Sequence, residues 1–393
     1  QREDLPNDFL KWTSGGRPLR LDTVKQLLPD GTSLLQYCVL DDRTYVWTVS
    51  NRGFDFHQLK AGEGEIKGWT TALQSFASQR DAENFESALA APYQGLLAAP
   101  LATVAASETS GRTPKVIVIP DRSMHGLPFS ALKNGTRYAV RDYAISVDGS
   151  ATLYAFSVAQ NRKRSGAAVE SVALFADPAF NSRLDISRGL SRLRRARSET
   201  ARIEKLYAPV LEVVRRMDDA ATVPELLRLA RRSAVIHVAV HGIANPDTPS
   251  RSFLLLAPAE NDSGALEAER LLKELRVENA RLAVLSACSS AGGTPVGPEG
   301  LAPLVRPVIA AGVPGVVGTL WNVSDSAATE ELLVRFHQHY RDGEDAASAL
   351  RLAQLEMLED PDLEFHSAIA WAPFQMIGAA SSPFPVSPTK NRR

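Results

Sequence analysis

The feature that most constrains this chain is an alternation that begins near Ser171. SVALFADPAF reads as a strand and ARSETARIEKLYA as a helix. VLEVVRRM is a strand, TVPELLRLARR a helix, and AVIHVAV a strand ending at His241-Gly242. SFLLLAP follows as a strand, ALEAERLLKELR as a helix, and LAVLSA as a strand ending at Cys288. LAPLVRPVIAAG is a helix, VPGVVGTLWNV a strand, and SDSAATEELLVRFHQHYRDG and DAASALRLAQLEMLED are helices. Strands that trade places with helices of roughly 10–15 residues indicate βαβ units around a parallel sheet.

The first half is less regular. SLLQYCVL (33–40) and TYVWTVS (44–50) flank DDR, a hairpin signal. IKGWTTALQSFASQ and ENFESALAAPYQGLLAAPLATVAAS have helical spacing, KVIVIPD is a buried-strand pattern, and YAVRDYAISVDG adds strand signal. A polar, basic stretch, AFSVAQNRKRSGAAVE, separates the halves. The expected organisation is a lead-in over residues 1–23, an N-terminal subdomain over 24–165, a C-terminal subdomain over 166–380, and a Pro/Ser-rich tail over 381–393 that reads as disordered.

Composition narrows the function classes. A length of 393 residues allows two ordinary domains, and 44% apolar with 23% charged residues is normal for a globular protein. A net charge of −1 gives no reason to expect nucleic acid or an anionic membrane as partner. No run of about 18 apolar residues offers a membrane span, and QREDLPNDFLKW has no signal-peptide core. Cys38 and Cys288 are the only cysteines, too few for a disulfide framework, so a reduced, cytoplasmic setting is expected. The missing initiator Met suggests a fragment of a longer protein.

Two strand exits carry reactive side chains, and in open parallel sheets function gathers at such carboxyl ends. His241 and Cys288 stand 47 residues apart, with one strand and one helix expected between them. A right-handed crossover would set the two strands side by side. A thiol of pKa ~8.5 is mostly protonated at neutral pH, and an adjacent imidazole favours the thiolate. The backbone amides of Gly242 and Cys288 could bind the oxyanion of a tetrahedral intermediate. Alone, each residue has a plainer reading: free cysteines are often buried, and a single histidine, such as His237 on the same strand, is commonly structural. The pair, with His first and a caspase-like separation, favours catalysis.

Competing chemistries find less support. There is no CxxC, HExxH, phosphate loop or G-x-S-x-G elbow. His237 and His241 on one strand would be about 13 Å apart, and His337 and His339 on one helix would face apart. No metal or cofactor is expected. GTPVGPEG (293–300), which includes Glu299, suits a loop over the site.

HVAVHG, SRSFLLLAP, LSACSSAGG and PEGLAPLVRPVIAAGVPGVVGTLWNVSD together resemble the CHAT peptidase family of caspase-like, clan CD cysteine proteases. CSSAGG and AGVPGVVGTLWNVSD are also similar to separase, a relative; ASALRLAQ and WAPFQMIG, and upstream LPDGTSLLQYCVLDDRTYVWTV and VIVIPDRSMHGLPFSAL, extend the likeness over roughly residues 24–380. The resemblance implies an α/β fold, a caspase-like α/β/α sandwich with a mostly parallel central sheet. It also implies a degenerate N-terminal pseudo-caspase subdomain packed on an active C-terminal one, and a dyad of His241 and Cys288. A second His-Gly, His125-Gly126, follows VIVIPD without a cysteine partner and reads as structural.

Substrate choice is less legible. Ser286-Ala287 precedes Cys288 where caspases carry a Gln, and the acid that separase-like enzymes use for Arg would fall near Thr329 rather than on Asp325. Ser286, Asp325 and Glu299 are the candidate substrate-binding residues, with Asp325 equally suited to cap the next helix. CHAT domains usually follow TPR or other sensor modules, which implies control by a regulatory repeat domain or an activator protein. The segment 182–204 carries seven Arg against three acids and reads as an amphipathic helix start, or as a docking or processing site. The expected function is cysteine endopeptidase on a protein or peptide target; the alternative is a catalytically silent scaffold that binds a partner through the same groove.

Overall fold

A computed structural model describes residues 18–107, 111–164, 171–180, 189–245, 247–287 and 303–379. The first element among the described residues is a helix, Leu21–Leu27, that begins inside the expected lead-in. β1 (Thr32–Val39), β2 (Thr44–Ser50) and β3 (Phe54–Leu59) form an antiparallel meander. The hairpin signal anticipated the first two strands. The third, FDFHQL, was not anticipated and is mostly exposed.

The helix Glu63–Gln79 and a broken helical stretch lead to β4 (Lys115–Ile119). The stretch comprises Ala82–Ala88, Ala90–Pro92, a π-turn Tyr93–Leu97, and Ala98–Ser107. Pro92 has no amide to donate, and the wide turn begins directly after it. Residues 82–107 are long and apolar enough to cross a membrane by length and composition. Here Phe85, Leu89, Leu96, Leu97 and Leu101 are buried in the protein core instead.

β5 (Lys133–Asn134) and β6 (Arg137–Tyr138) make a small hairpin before β7 (Ala144–Val147). After the helix Ala151–Arg164 come β8 (Ser171–Pro178), β9 (Glu212–Asp218) and β10 (Val235–Ala239). Next stand three short strands, β11 (His241–Ile243), β12 (Phe253–Leu255) and β13 (Ala265–Glu267), paired antiparallel in a sheet of their own. β14 (Leu282–Leu285), β15 (Gly315–Thr319) and β16 (Phe374–Gly378) complete the main sheet.

That sheet has eleven strands in the order β3-β2-β1-β4-β7-β16-β15-β14-β10-β8-β9. β16, the last in sequence, sits at the junction, parallel to β7 and antiparallel to β15. One reversal therefore makes the two halves point in opposite directions. The carboxyl ends of β4 and β7 lie on one edge, and those of β8, β10, β14 and β15 on the other. The expected boundary falls on residues 165–170, outside the described residues. One apolar cluster runs through both halves, from Leu35 and Val118 to Val284, Val317 and Phe374.

β8, β10, β14 and β15 are buried at every position. Helices cover both faces of a parallel sheet, so its strands read as near-continuous apolar runs. Burying each Val or Leu of the LAVL run contributes roughly 1.5–3 kcal/mol.

Candidate active site

β10 and β14 are direct parallel neighbours, in the register Val235↔Leu282, Ile236↔Ala283, His237↔Val284 and Val238↔Leu285. Both therefore leave the sheet on the same edge. His241 lies two residues beyond the end of β10, and Ser286 and Ala287 directly follow β14. Cys288 is the next residue in the chain and, like Glu299, lies outside the described residues. The strand expected to end at His241-Gly242 ends at Ala239; His241 instead opens β11, with Gly242 buried at its centre opposite Leu254. Three short strands and the helix Ala268–Glu274, rather than one strand and one helix, fill the interval to β14. Lying two residues past the sheet, His241 is half-buried rather than sealed in the core.

The His241 ring has two contacts that fix it. Its Nε2 stands 2.7 Å from the Ser191 carbonyl oxygen, and Phe180 packs edge-on at 5.5 Å between ring centroids. A carbonyl only accepts, so Nε2 carries the proton and Nδ1 keeps the lone pair in the neutral ring. A base oriented in this way is what thiol activation requires.

Ser191 sits where two acidic groups converge on the start of the helix Arg194–Tyr207. Asp177 accepts from Arg192 Nε (2.7 Å) and Nη2 (2.9 Å), from Arg197 Nε (2.9 Å), and from the Leu193 amide (2.9 Å). Burial opposes ionisation of Asp177, but these hydrogen bonds outweigh it and hold its carboxyl below the usual range. Asp218, bonded to Arg197 and Arg192, is held down at about 2. Four arginines of the basic segment, Arg192, Arg195, Arg197 and Arg202, are thus engaged within the chain, with Arg195 and Arg202 reaching Glu330 and Glu331 on the helix Ala327–Arg341.

Asp325 caps a helix, though not the next one. Its oxygens accept from the amides of Arg195 (3.0 Å) and Ala196 (2.9 Å), while Ser326 caps the helix Ala327–Arg341. Leu193, at the N-cap of the helix Arg194–Tyr207, has no side chain that could do this, so a carboxylate from another loop supplies it. With both oxygens occupied by amides, Asp325 is weakened as an acceptor for a substrate's basic side chain. Thr329, where that acid would otherwise align, bonds the Ser324 carbonyl. Ser286 is half-buried at the exit of β14, and Thr319 Oγ1 holds the Ala287 carbonyl at 2.7 Å.

A groove of about 1540 Å³ runs beside one face of the helix Glu63–Gln79, lined by Lys67, Thr70, Gln74 and Ser78 of that face. At one end stand Asp121 and His125; at the other stand Ser191 and Trp321 to Asp325. Ser191, whose carbonyl holds His241, is among its lining residues; His241 itself is not.

A family model of the CHAT domain matches residues 80–379. The chain belongs to the CHAT-domain family. No curated protein is significantly similar to it in sequence. Among solved structures, the Saccharomyces cerevisiae separase–securin complex at 3.0 Å resolution aligns with a TM-score of 0.58 at 11% identity, over 91% of this chain and 30% of that one. A second structure of that complex gives 0.51, at 11% identity and the same coverages. The Arg-specific cysteine proteinase gingipain R aligns with 0.48 at 10% identity, over 81% of this chain and 76% of its own. The likeness shows the fold, a caspase-like α/β architecture with a large, mostly parallel sheet. The CHAT chain spans about 30% of the length of the separase chain it matches.

This CHAT domain carries a polar network that the sequence reading missed. His237, fully buried on β10, bonds Glu199 through Nε2 (2.7 Å) and His337 through Nδ1 (3.1 Å). The Tyr207 hydroxyl closes the row on His337 Nδ1 at 3.1 Å. Burial pushes Glu199 up despite its bond to His237, and burial together with His237 pushes His337 well below its ordinary value. His237 was expected to be structural; its partners come from residues 38 and 100 positions away, beyond any local motif. His339, two residues on, instead bonds Glu356. Among the described residues no cluster of metal-ligating groups forms. Cys38, although free cysteines are often buried, is only half-buried on β1 opposite Tyr45.

Proposed function

We propose that this CHAT domain is a cysteine endopeptidase that cleaves a specific protein target in the cytoplasm. Cys288 supplies the nucleophile and His241 its partner. The observation that carries this reading is the adjacency of β10 and β14: two in-register parallel strands leave the sheet on one edge, one leading to an oriented imidazole and the other to the cysteine. The thiolate attacks the scissile carbonyl, with the Gly242 and Cys288 amides as oxyanion donors. His241 gives a proton to the leaving amine, and water releases the acyl-enzyme. Ser286, Glu299 and the Trp321–Asp325 segment shape the substrate site; the engagement of Asp325 favours a small or apolar residue before the cut over a basic one.

Control by a partner belongs to the same proposal. The separase it resembles was solved in complex with securin, and an adjoining module or bound protein would suit this chain equally. The test is to profile cleavage of a peptide library by the wild type and by Cys288→Ala. Loss of all cleavage in a folded variant supports the reading, and undiminished cleavage ends it. A thiol-reactive peptide electrophile separates the scaffold alternative, in which Cys288 would react no faster than Cys38.

A further inference from the structure

Only Arg192 and Leu193 separate Ser191, whose carbonyl holds His241, from the first turn of the helix Arg194–Tyr207. Two side chains from distant elements fix this stretch. Asp177, at the end of β8, takes the Leu193 amide and the Arg192 side chain. Asp325, beyond β15, takes the amides of Arg195 and Ala196. Arg192 Nη2 also reaches back to the Asp177 carbonyl at 3.1 Å. Leu193, at the N-cap, has no capping side chain of its own.

The backbone of Asp177 adds a second observation. Its φ is +42°, in the left-handed region, and its side chain is 3% exposed. Glycine would occupy such a conformation without strain. The carboxylate there makes up for a strained backbone through its bonds to residues 192, 193 and 197. Asp218, at the end of neighbouring β9, repeats the pattern at φ +52° and serves the same two arginines.

We infer that Asp177 and Asp325 are positioning residues for His241: by pinning residues 191–196 they set the Ser191 carbonyl 2.7 Å from Nε2 and so fix the tautomer and orientation of the ring. The catalytic consequence rests on the peptidase reading; the positioning itself does not. Ring orientation of this kind commonly decides whether a base acts, since a displacement of about 1 Å costs on the order of a hundredfold in rate.

The experiment reads the His241 imidazole directly, by the hydrogen-bonded Nε2 proton resonance in the nitrogen-15 labelled chain, assigned by its loss in His241→Gln. The wild type should show this proton near neutral pH. Asp177→Asn and Asp325→Asn should lose it to solvent exchange, and Asp218→Asn should weaken it less. Glu330→Gln is the structural control: it loosens the same helix at Ser198, Arg195 and Arg202 but not residues 191–193, and should keep the resonance. Should Asp177→Asn fail to fold, Arg192→Gln replaces it, since that side chain is 41% exposed. A wild type without the protected proton, or folded Asp177 and Asp325 variants that retain it, overturns the inference. A parallel assay of Cys288 alkylation against pH in wild type and His241→Ala judges the peptidase reading alone: equal profiles end that reading and leave the positioning result standing. Where the peptidase reading holds, Asp177→Asn should lower kcat by roughly tenfold or more with KM little changed.

Discussion

The two halves of the sheet each end a central strand close to a His-Gly pair, and the two pairs have opposite fates. His125-Gly126 closes the short turn Arg122–Gly126 beyond β4. There the helix Glu63–Gln79 packs so closely that a Cβ on Gly126 would stand 2.6 Å from both Thr70 and Gln74. Burial lowers the His125 pKa to about 4, with Asp121 opposing, so the ring is neutral at pH 7. His241-Gly242 follows β10 but opens a separate small sheet, half-buried, with its ring fixed by a carbonyl and an aromatic edge. The dipeptide is the same; what packs over it differs. Both histidines are half-buried, and His125 lines the groove, so the difference lies in what holds each ring rather than in its exposure.

The largest expected effect tests that contrast head on. His241→Ala should lower kcat/KM on a cleaved peptide by about 10²–10⁴, whereas His125→Gln should leave it within a factor of about three and cost stability instead. Comparable losses in both would break the comparison. The next concerns the buried network beneath β10. His337→Phe removes the ring nitrogens that His237 Nδ1 and the Tyr207 hydroxyl meet, and should destabilise by about 1–3 kcal/mol in denaturant titration. Because His337 stays neutral in the fold while the unfolded chain binds a proton below pH ~6.5, its contribution is intact above that pH and declines as pH falls through it. The variant should lack that slope.

Asp148, at the end of β7, sharpens the comparison from the other edge. Burial raises its pKa to about 8, and its Oδ2 has no hydrogen-bond partner. The folded state holds a proton that the unfolded chain releases above pH ~4, so stability from this group is full below pH ~4 and is lost as pH rises towards 8, by at most ~1.4 kcal/mol per pH unit. Asp148→Asn should therefore compare more favourably with wild type at pH 8 than at pH 5; an equal difference at both would contradict it. At the small end, Arg80 on the helix facing the N-terminal edge reaches Ser324 beside the other at 2.7 Å. This bond is exposed, and Arg80→Ala should change stability by no more than about 0.5 kcal/mol.

Much of the C-terminal half was legible because its strands are buried on both faces and its helices are spaced by ordinary crossovers. SVALFADP, VIHVA, LAVL and GVVGT are apolar runs that admit few other readings. The meander strand FDFHQL escaped notice because Phe54 and Phe56 are exposed at the sheet edge. The residues that orient His241 were hidden for a different reason. Asp177, Ser191 and Asp325 lie 64, 50 and 84 positions from it, and nothing in SVALFADP or WNVSD marks an aspartate whose partners are backbone amides of a third segment.

By itself the sequence determined the main strand–helix alternation of the C-terminal half, the mostly parallel character of the central sheet, and which histidine and cysteine follow adjacent strands. These depend on burial pattern and connection length, which are local properties of the chain. Only the tertiary structure decided that β16 returns to the middle of the sheet and turns the two halves' carboxyl edges in opposite directions. It alone decided that His237 lies sealed with Glu199 and His337 while His241, four residues later, stands at the edge with one nitrogen held. Those outcomes depend on which helix covers which strand end, and packing between segments a hundred residues apart leaves no local mark.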